Sequence, residues 1–333
     1  MQKLLLLLLI SIAFSLIALA VGLPILKKFK AKQEILSYVI EHKSKSGTPT
    51  MGGVCIMIVF AICSFIFFEG SNDLGKLAVL FTLAYAVIGL LDDYIKIKYR
   101  QNEGLKPYQK IIVQLALAVI IALFIYNNVY VGGKLLVPFT KLSIDINFFI
   151  IPLAIFIFLS VTNGANLTDG LDGLLTKVTM AYLFIIAIFI YLRYDEATKL
   201  GETLLMQEYG NLLVVCVALL GVLLAFLVFN CFPAKIFMGD TGSLALGACV
   251  ACLSMFTRMS LFIPILGIIY VISCLSVIIQ VGYFKFSHGK RVFLMAPYHH
   301  HLQKKGLSES RIGDIYALIT LSCGILLLLG GSV

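Results

Sequence analysis

Ten long apolar stretches, at residues 4–23, 51–68, 77–91, 109–126, 146–162, 175–192, 211–229, 242–256, 261–283 and 312–329, restrict this chain to folding inside a membrane. A helix crosses a bilayer with about 20 apolar residues, and a range of roughly 17–25 allows for tilt. The stretches 77–91, 146–162 and 242–256 are short, so their flanks are expected near the headgroups or drawn inward. With 60% hydrophobic residues, 13% charged residues and a mean hydropathy of +1.02, the composition excludes a soluble fold. The expectation is an all-α polytopic membrane protein with about ten transmembrane helices, forming a single integral domain over residues 1–333. Loop 127–145, with Gly132-Gly133 and Lys134-Leu135-Leu136-Val137, reads as a small external hairpin, and Arg193–Tyr209 as a short amphipathic external helix.

Basic residues set the orientation, because cytoplasmic loops retain Lys and Arg. Nineteen of the twenty-six lie in the odd-numbered loops, among them Lys45, Lys98, Lys235 and Lys290. Both termini are therefore expected outside, with the odd loops cytoplasmic. Lys3, a leucine run and Ala18-Leu19-Ala20 imitate a cleavable signal peptide. Cleavage would reverse every later loop against the charge bias, so an uncleaved first span is expected. The net charge of +9 is dispersed over loops, which argues against nucleic acid and favours anionic lipid or phosphate. Cys249 and Cys252 read as helix packing, not redox chemistry.

Four polar islands interrupt the apolar pattern, and all fall on the cytoplasmic side. They are Asp92-Asp93, the run from Asn163 to Asp172, the run from Asn230 to Asp240, and His299-His300-His301. Ionisable groups at membrane depth are costly and normally functional, so their gathering on one face points to one composite site. Adjacent carboxylates on a helix diverge by about 100°, so Asp92 and Asp93 suit two partners, a metal and a proton acceptor. A solvated helix end is the plain alternative. Asp169 and Asp172 would share one helical face if the following span began early. Asp240 precedes an apolar helix, where an N-cap and an anion site are both reasonable. Phe237 is either packing or a stacking platform for a base. Consecutive histidines diverge, which favours phosphate binding or proton shuttling over a three-histidine metal site. The loop ending Lys45-Ser46-Gly47-Thr48-Pro49-Thr50 is rich in hydroxyls but lacks P-loop spacing. Carboxylates suit Mg²⁺, and phosphoryl transfer asks mainly for positioning and charge neutralisation.

These motifs, in order, resemble the bacterial phospho-N-acetylmuramoyl-pentapeptide transferase family of the polyprenyl-phosphate N-acetylhexosamine-1-phosphate transferase superfamily. The resemblance rests on Lys45–Gly53, Asp92-Asp93-Tyr94, Asn166–Leu174, Phe237–Ser243 and Pro297–His301. It implies a multi-pass enzyme of the bacterial plasma membrane. The enzyme would move phospho-MurNAc-pentapeptide from UDP-MurNAc-pentapeptide to undecaprenyl phosphate, releasing UMP and forming lipid I. It places Mg²⁺ at Asp240, with Asp92, Asp93 and His300 as further catalytic candidates. Lys45, Thr50, Asn166, Asp169, Asp172, Asn230, Phe237, His299, His300 and His301 become substrate- or inhibitor-binding candidates, with Lys110 and Gln280 added from flanking motifs. Uridine-containing natural-product inhibitors and a second copy of the chain are implied as partners. A GlcNAc-1-phosphate transferase is the alternative within the superfamily; a membrane transporter is the alternative outside it. Asp92 is expected to deprotonate or orient the lipid phosphate, and a two-step route through a covalent aspartyl intermediate stays open.

Overall fold

The computed structural model describes residues 2–28, 47–70, 73–99 and 104–331. The chain is a helical bundle: α1 (Gln2–Lys28), α2 (Gly52–Phe67), α3 (Leu74–Tyr99), α4 (Pro107–Asn127), α5 (Ile150–Thr168), α6 (Leu174–Leu200), α7 (Thr203–Asn230), α8 (Gly239–Phe256), α9 (Ile263–Leu266), α10 (Ile268–Phe286), α11 (Tyr298–Lys304) and α12 (Glu309–Leu329). Among the described residues nine helices are long and apolar enough to cross a membrane, and α2, at 16 residues, is a shorter apolar one.

The bundle is organised around α8, in which every residue from Thr241 to Phe256 is buried. Its sequence is dominated by Gly, Ala, Ser and Cys. Helices in lipid gain little from the hydrophobic effect on association, and small residues let their backbones meet. Cys249 and Cys252 are free and fully buried here, as packing residues. The closest approach is from α3, where Gly89 lies against the Asp240 carbonyl and the Thr241 nitrogen. A methyl group there has only rigid backbone to push against. Gly89→Ala is therefore expected to cost about 1–3 kcal/mol, at the upper end of that range for overpacking. Thermal unfolding in detergent checks this, and an unchanged midpoint would contradict the tight α3–α8 crossing.

Polar clamps tie down the bundle end away from the islands. Asn211 on α7 both donates to Glu69 O (2.9 Å) and accepts from Glu69 N (3.0 Å). Buried Glu208 accepts from the backbone of Leu74 (3.0 Å) and Asp73 (3.3 Å), which caps α3. Lys3 pairs with Glu69, and Gly330 packs on Phe139. Both described chain ends therefore lie at this end. The expected hairpin is present, with β1 (Lys134–Leu136) antiparallel to β2 (Ser143–Asp145), and Leu136 N donates to Arg258 O (2.8 Å) after α8.

Three local expectations need correction. No separate helix forms over Arg193–Tyr209: α6 runs on to Leu200, Gly201 turns the chain at φ 72°, and α7 starts at Thr203. The stretch 261–283 is broken at Gly267 between α9 and α10. Asp92 and Asp93 do not mark a solvated helix end, because α3 continues to Tyr99 and both are nearly inaccessible, at 2% and 3% exposed.

Candidate active site

Carboxylates, amines and an amide from four helices meet at the start of α8. Asp240 Oδ2 accepts from Lys110 Nζ on α4 (2.7 Å) and Lys96 Nζ on α3 (3.1 Å). Asp240 Oδ1 accepts from Asn166 Nδ2 on α5 (2.9 Å), which also reaches Ser243 Oγ (2.8 Å). Lys96 Nζ is also 2.6 Å from Asp92 Oδ2, so one ammonium bridges two carboxylates. The other Asp92 oxygen accepts from Leu105 N (2.8 Å).

Asp93, one residue on, faces a different task. Its Oδ1 accepts from Asp240 N (3.0 Å), and its Oδ2 accepts from Thr241 N (2.9 Å) and Thr241 Oγ1 (2.7 Å). The first backbone donors of a helix have no partner within it. Here a carboxylate from a neighbouring helix supplies one, and so fixes where Asp240 stands. Gly239, at φ 75°, packs against Asp93 Oδ2 and Thr50 Oγ1; its conformation and its space both favour glycine.

The Thr50 segment and the Phe237 segment join through their backbones. Phe237 N donates to Pro49 O (2.8 Å), Gly52 N to Phe237 O (2.9 Å) and Gly53 N to Met238 O (2.9 Å). This pairing holds half-buried Phe237 and buried Thr50 beside Asp240. Asn230 braces the preceding turn, accepting from Thr176 Oγ1 (2.8 Å) and donating to Ile236 O (3.0 Å).

Asp169 and Asp172 do not share a helical face. Gly173 adopts φ 70° and delays α6 to Leu174, which leaves both carboxylates in the α5–α6 turn. Asp172 is buried and accepts from Ala234 N (2.9 Å). Burial pushes the Asp169 carboxyl well above the usual carboxylate range, and the charges of Asp240, Asp93 and Asp172 push it the same way. This turn meets α11 at Gly170, which lies against the Nε2 atoms of His299 and His300. His301 turns away: its Nδ1 accepts from Leu294 N (3.1 Å) and its ring stacks on Tyr298. Gln280 Oε1 accepts from Phe293 N (2.9 Å) in the same segment. His301 and Gln280 thus brace the approach to α11. Lys45 lies outside the described residues.

The donor set fits a hard divalent cation. Asp92, Asp93 and Asp240 each offer an oxygen, all within 4.8 Å of one another, and the buried Asp92 Oδ2 is shared with the Lys96 ammonium. Sequence reading did not single out Lys96 or Ser243. Lys96 was within reach of a pattern argument, since it stands four residues after Asp92 on one helix. Ser243 carries no comparable signal, because its partner Asn166 is remote in sequence.

A polytopic helical bundle with this cluster at one end is the layout of a membrane-embedded transferase, and the comparisons agree. Residues 76–258 match glycosyl transferase family 4, and residues 45–57 match signature 1 of the phospho-N-acetylmuramoyl-pentapeptide-transferases. A protein of that name from Clostridium novyi (strain NT) is 42% identical over 97% of this chain and 94% of its own length. One from Clostridium botulinum (strain Eklund 17B / Type B) is 42% identical over 94% and 92%, and one from Clostridium kluyveri (strain NBRC 12016) is 39% identical over 96% of each. The chain belongs to the phospho-N-acetylmuramoyl-pentapeptide-transferase family, within glycosyl transferase family 4. It is a multi-pass bacterial membrane enzyme, which sets the transporter reading aside.

Proposed function

We propose that the chain transfers phospho-MurNAc-pentapeptide from UDP-MurNAc-pentapeptide to undecaprenyl phosphate. An oxygen of the lipid phosphate forms a bond to the β-phosphorus of the donor. The bond from that phosphorus to the bridging oxygen breaks, UMP leaves with the electron pair, and lipid I is the product. The observation that carries this reading is the convergence of Lys96, Lys110 and Asn166 on Asp240 beside buried Asp92. The two ammonium groups face phosphate, and the carboxylates would hold a divalent cation that offsets the negative charge of two phosphorylated substrates.

Asp92 and Asp240 would hold Mg²⁺, which supplies charge neutralisation at the diphosphate. Asp92 orients the lipid phosphate and takes any proton it still carries. Lys96 and Lys110 face the phosphates, while Asp93 acts through the backbone of Asp240. Asp169, raised in pKa beside Gly170, offers a hydrogen-bond donor or acceptor to the nucleotide sugar. Thr50, Asn166 and His300 line the approach, with Lys45 assigned to the donor on resemblance alone. We place this face in the cytoplasm, both termini outside, and count α2 as a tenth span. At about 1.5 Å per residue α2 is near 24 Å long, which asks for local thinning of the bilayer.

The test supplies purified protein, Mg²⁺ and undecaprenyl phosphate with each UDP-sugar in turn. UMP release with UDP-MurNAc-pentapeptide and none with UDP-GlcNAc is expected; the reverse preference would favour the GlcNAc-1-phosphate reading. Phe237, three residues before Asp240, is assigned to stacking on the uracil, where uridine-containing inhibitors would compete. Base–aromatic stacking is worth about 1–3 kcal/mol, so Phe237→Ala is expected to weaken donor binding about tenfold. Lipid-phosphate affinity should hardly change, and equal loss for both substrates would mark Phe237 as packing.

A further inference from the structure

Lys110 reaches Asp240 from an exposed stretch of helix. No residue of α4 from 107 to 113 is buried, and Gln114, one turn beyond Lys110, is the first fully enclosed side chain of that helix. Gln114 meets Asn163, which opens the second polar island and takes no part in the Asp240 cluster. Asn163 Nδ2 donates to Gln114 Oε1 (2.7 Å) and to Leu159 O (2.8 Å) in its own helix. The Leu159 carbonyl only accepts, so Asn163 presents its NH₂ and Gln114 its oxygen. Tyr85 Oη on α3 also donates to the backbone carbonyl of Gln114 (3.3 Å), and its ring stacks on Phe158 of α5.

This pair repeats, one turn deeper, the α4–α5 contact made at the site. Gln114 stands four residues after Lys110 and Asn163 three before Asn166, so each shares a helix face with its neighbour. Lys110 and Asn166 take opposite oxygens of Asp240, at 2.7 Å and 2.9 Å. Gln114 and Asn163 bond to each other directly, about 5 Å further into the bundle. Polar side chains between helices in lipid are retained where they link partners. Gln114 also carries a cost, because its NH₂ is buried with no partner among the described residues. A methionine of similar length would fill the space without that unmatched donor, so stability alone does not call for glutamine here.

We propose that Gln114 and Asn163 are positioning residues, whose hydrogen bond locks α4 to α5 and so holds Lys110 on Asp240. This rests on the transferase reading, in which Lys110 faces the phosphates. Ahead of Lys110 the chain is held by Leu105 N, which donates to Asp92 (2.8 Å). Behind it, the Gln114–Asn163 bond supplies the second fixed point. Without that bond the exposed turn carrying Lys110 tilts away from α5, and the ammonium loses its register with Asp240. Gln114→Met keeps the length of the side chain and removes the acceptor; Asn163→Leu removes the donor from the other side. Each is expected to lower turnover about 10–100-fold through misplacement. The unfolding midpoint of Gln114→Met should stay near that of the parent, because the unmatched NH₂ goes with the lost bond. Gln114→Glu still offers an oxygen to Asn163, protonated or not, and should keep most of the parent's turnover.

The hold on Lys110 is read independently of turnover, by reductive methylation of the full-length protein in detergent followed by mass spectrometry. Lys110 is expected to be labelled several-fold faster in Gln114→Met and Asn163→Leu than in the parent and Gln114→Glu. Lys177, which pairs with Asp314 between α6 and α12, should be labelled at one rate in all four proteins. Unchanged Lys110 labelling in Gln114→Met, or a rise shared by Lys177, would overturn the proposal. So would a Gln114→Glu variant as slow as Gln114→Met. If the parent protein released no UMP, the transferase reading would fail, while the labelling still decided whether the pair holds Lys110.

Discussion

Asp240→Asn is expected to lower turnover by about 10³-fold or more, the upper range for losing one preorganised electrostatic group. The substitution keeps the shape of the side chain. Asn166 can still donate to the remaining oxygen, so the α5–α8 contact persists. What disappears is the charge that Lys110 and Lys96 approach at 2.7 Å and 3.1 Å, and with it the cation ligand of the proposed reaction. The proper measurement is UMP release across an Mg²⁺ titration. Near-normal rates at limiting Mg²⁺ would reduce Asp240 to the first turn of a helix.

Asp93→Asn should be impaired in a different way, losing stability as well as rate. Its carboxylate serves three donors at the start of α8, two backbone and one hydroxyl. An amide offers one acceptor oxygen in place of two and sets its own NH₂ against the remaining N–H. Leaving a buried donor unmatched costs about 1–3 kcal/mol. Asp240 rides on the same backbone, so turnover is expected to fall about 10²-fold through misplacement. Asp92→Asn should match or exceed that loss of rate with a smaller drop in unfolding midpoint, because the amide oxygen can still serve the one backbone donor Asp92 meets, Leu105 N. Thermal unfolding of the two variants side by side in detergent separates these roles. Equal midpoints would contradict the assignment of Asp93 to positioning.

The difference between these two neighbours shows where sequence reading stops. That adjacent carboxylates face separate partners followed from helix geometry alone. Which one meets a helix N-terminus did not, because it depends on how α3 crosses α8, and that crossing is set by Gly89 and by the small residues of α8. The apolar stretches were legible because a bilayer imposes length and composition. The break at Gly267 was not, since a single glycine inside an apolar run carries little signal. The gathering of the islands was legible because an even number of apolar stretches separates each from the next. The split between residues that face Asp240 and residues that brace them was not. Gln280, His301 and Asn230 bond to backbone donors and acceptors that the folded loops bring to them.

In the proposed reaction Asp240 and Asp92 hold a divalent cation beside the donor diphosphate. Mn²⁺ can stand in for Mg²⁺, and pulsed electron paramagnetic resonance detects phosphorus close to it. With UDP-MurNAc-pentapeptide present, the parent protein is expected to show bound Mn²⁺ with ³¹P coupling, and Asp240→Asn to show neither at the same concentrations. Unchanged Mn²⁺ binding and ³¹P coupling in Asp240→Asn would overturn cation binding at Asp240.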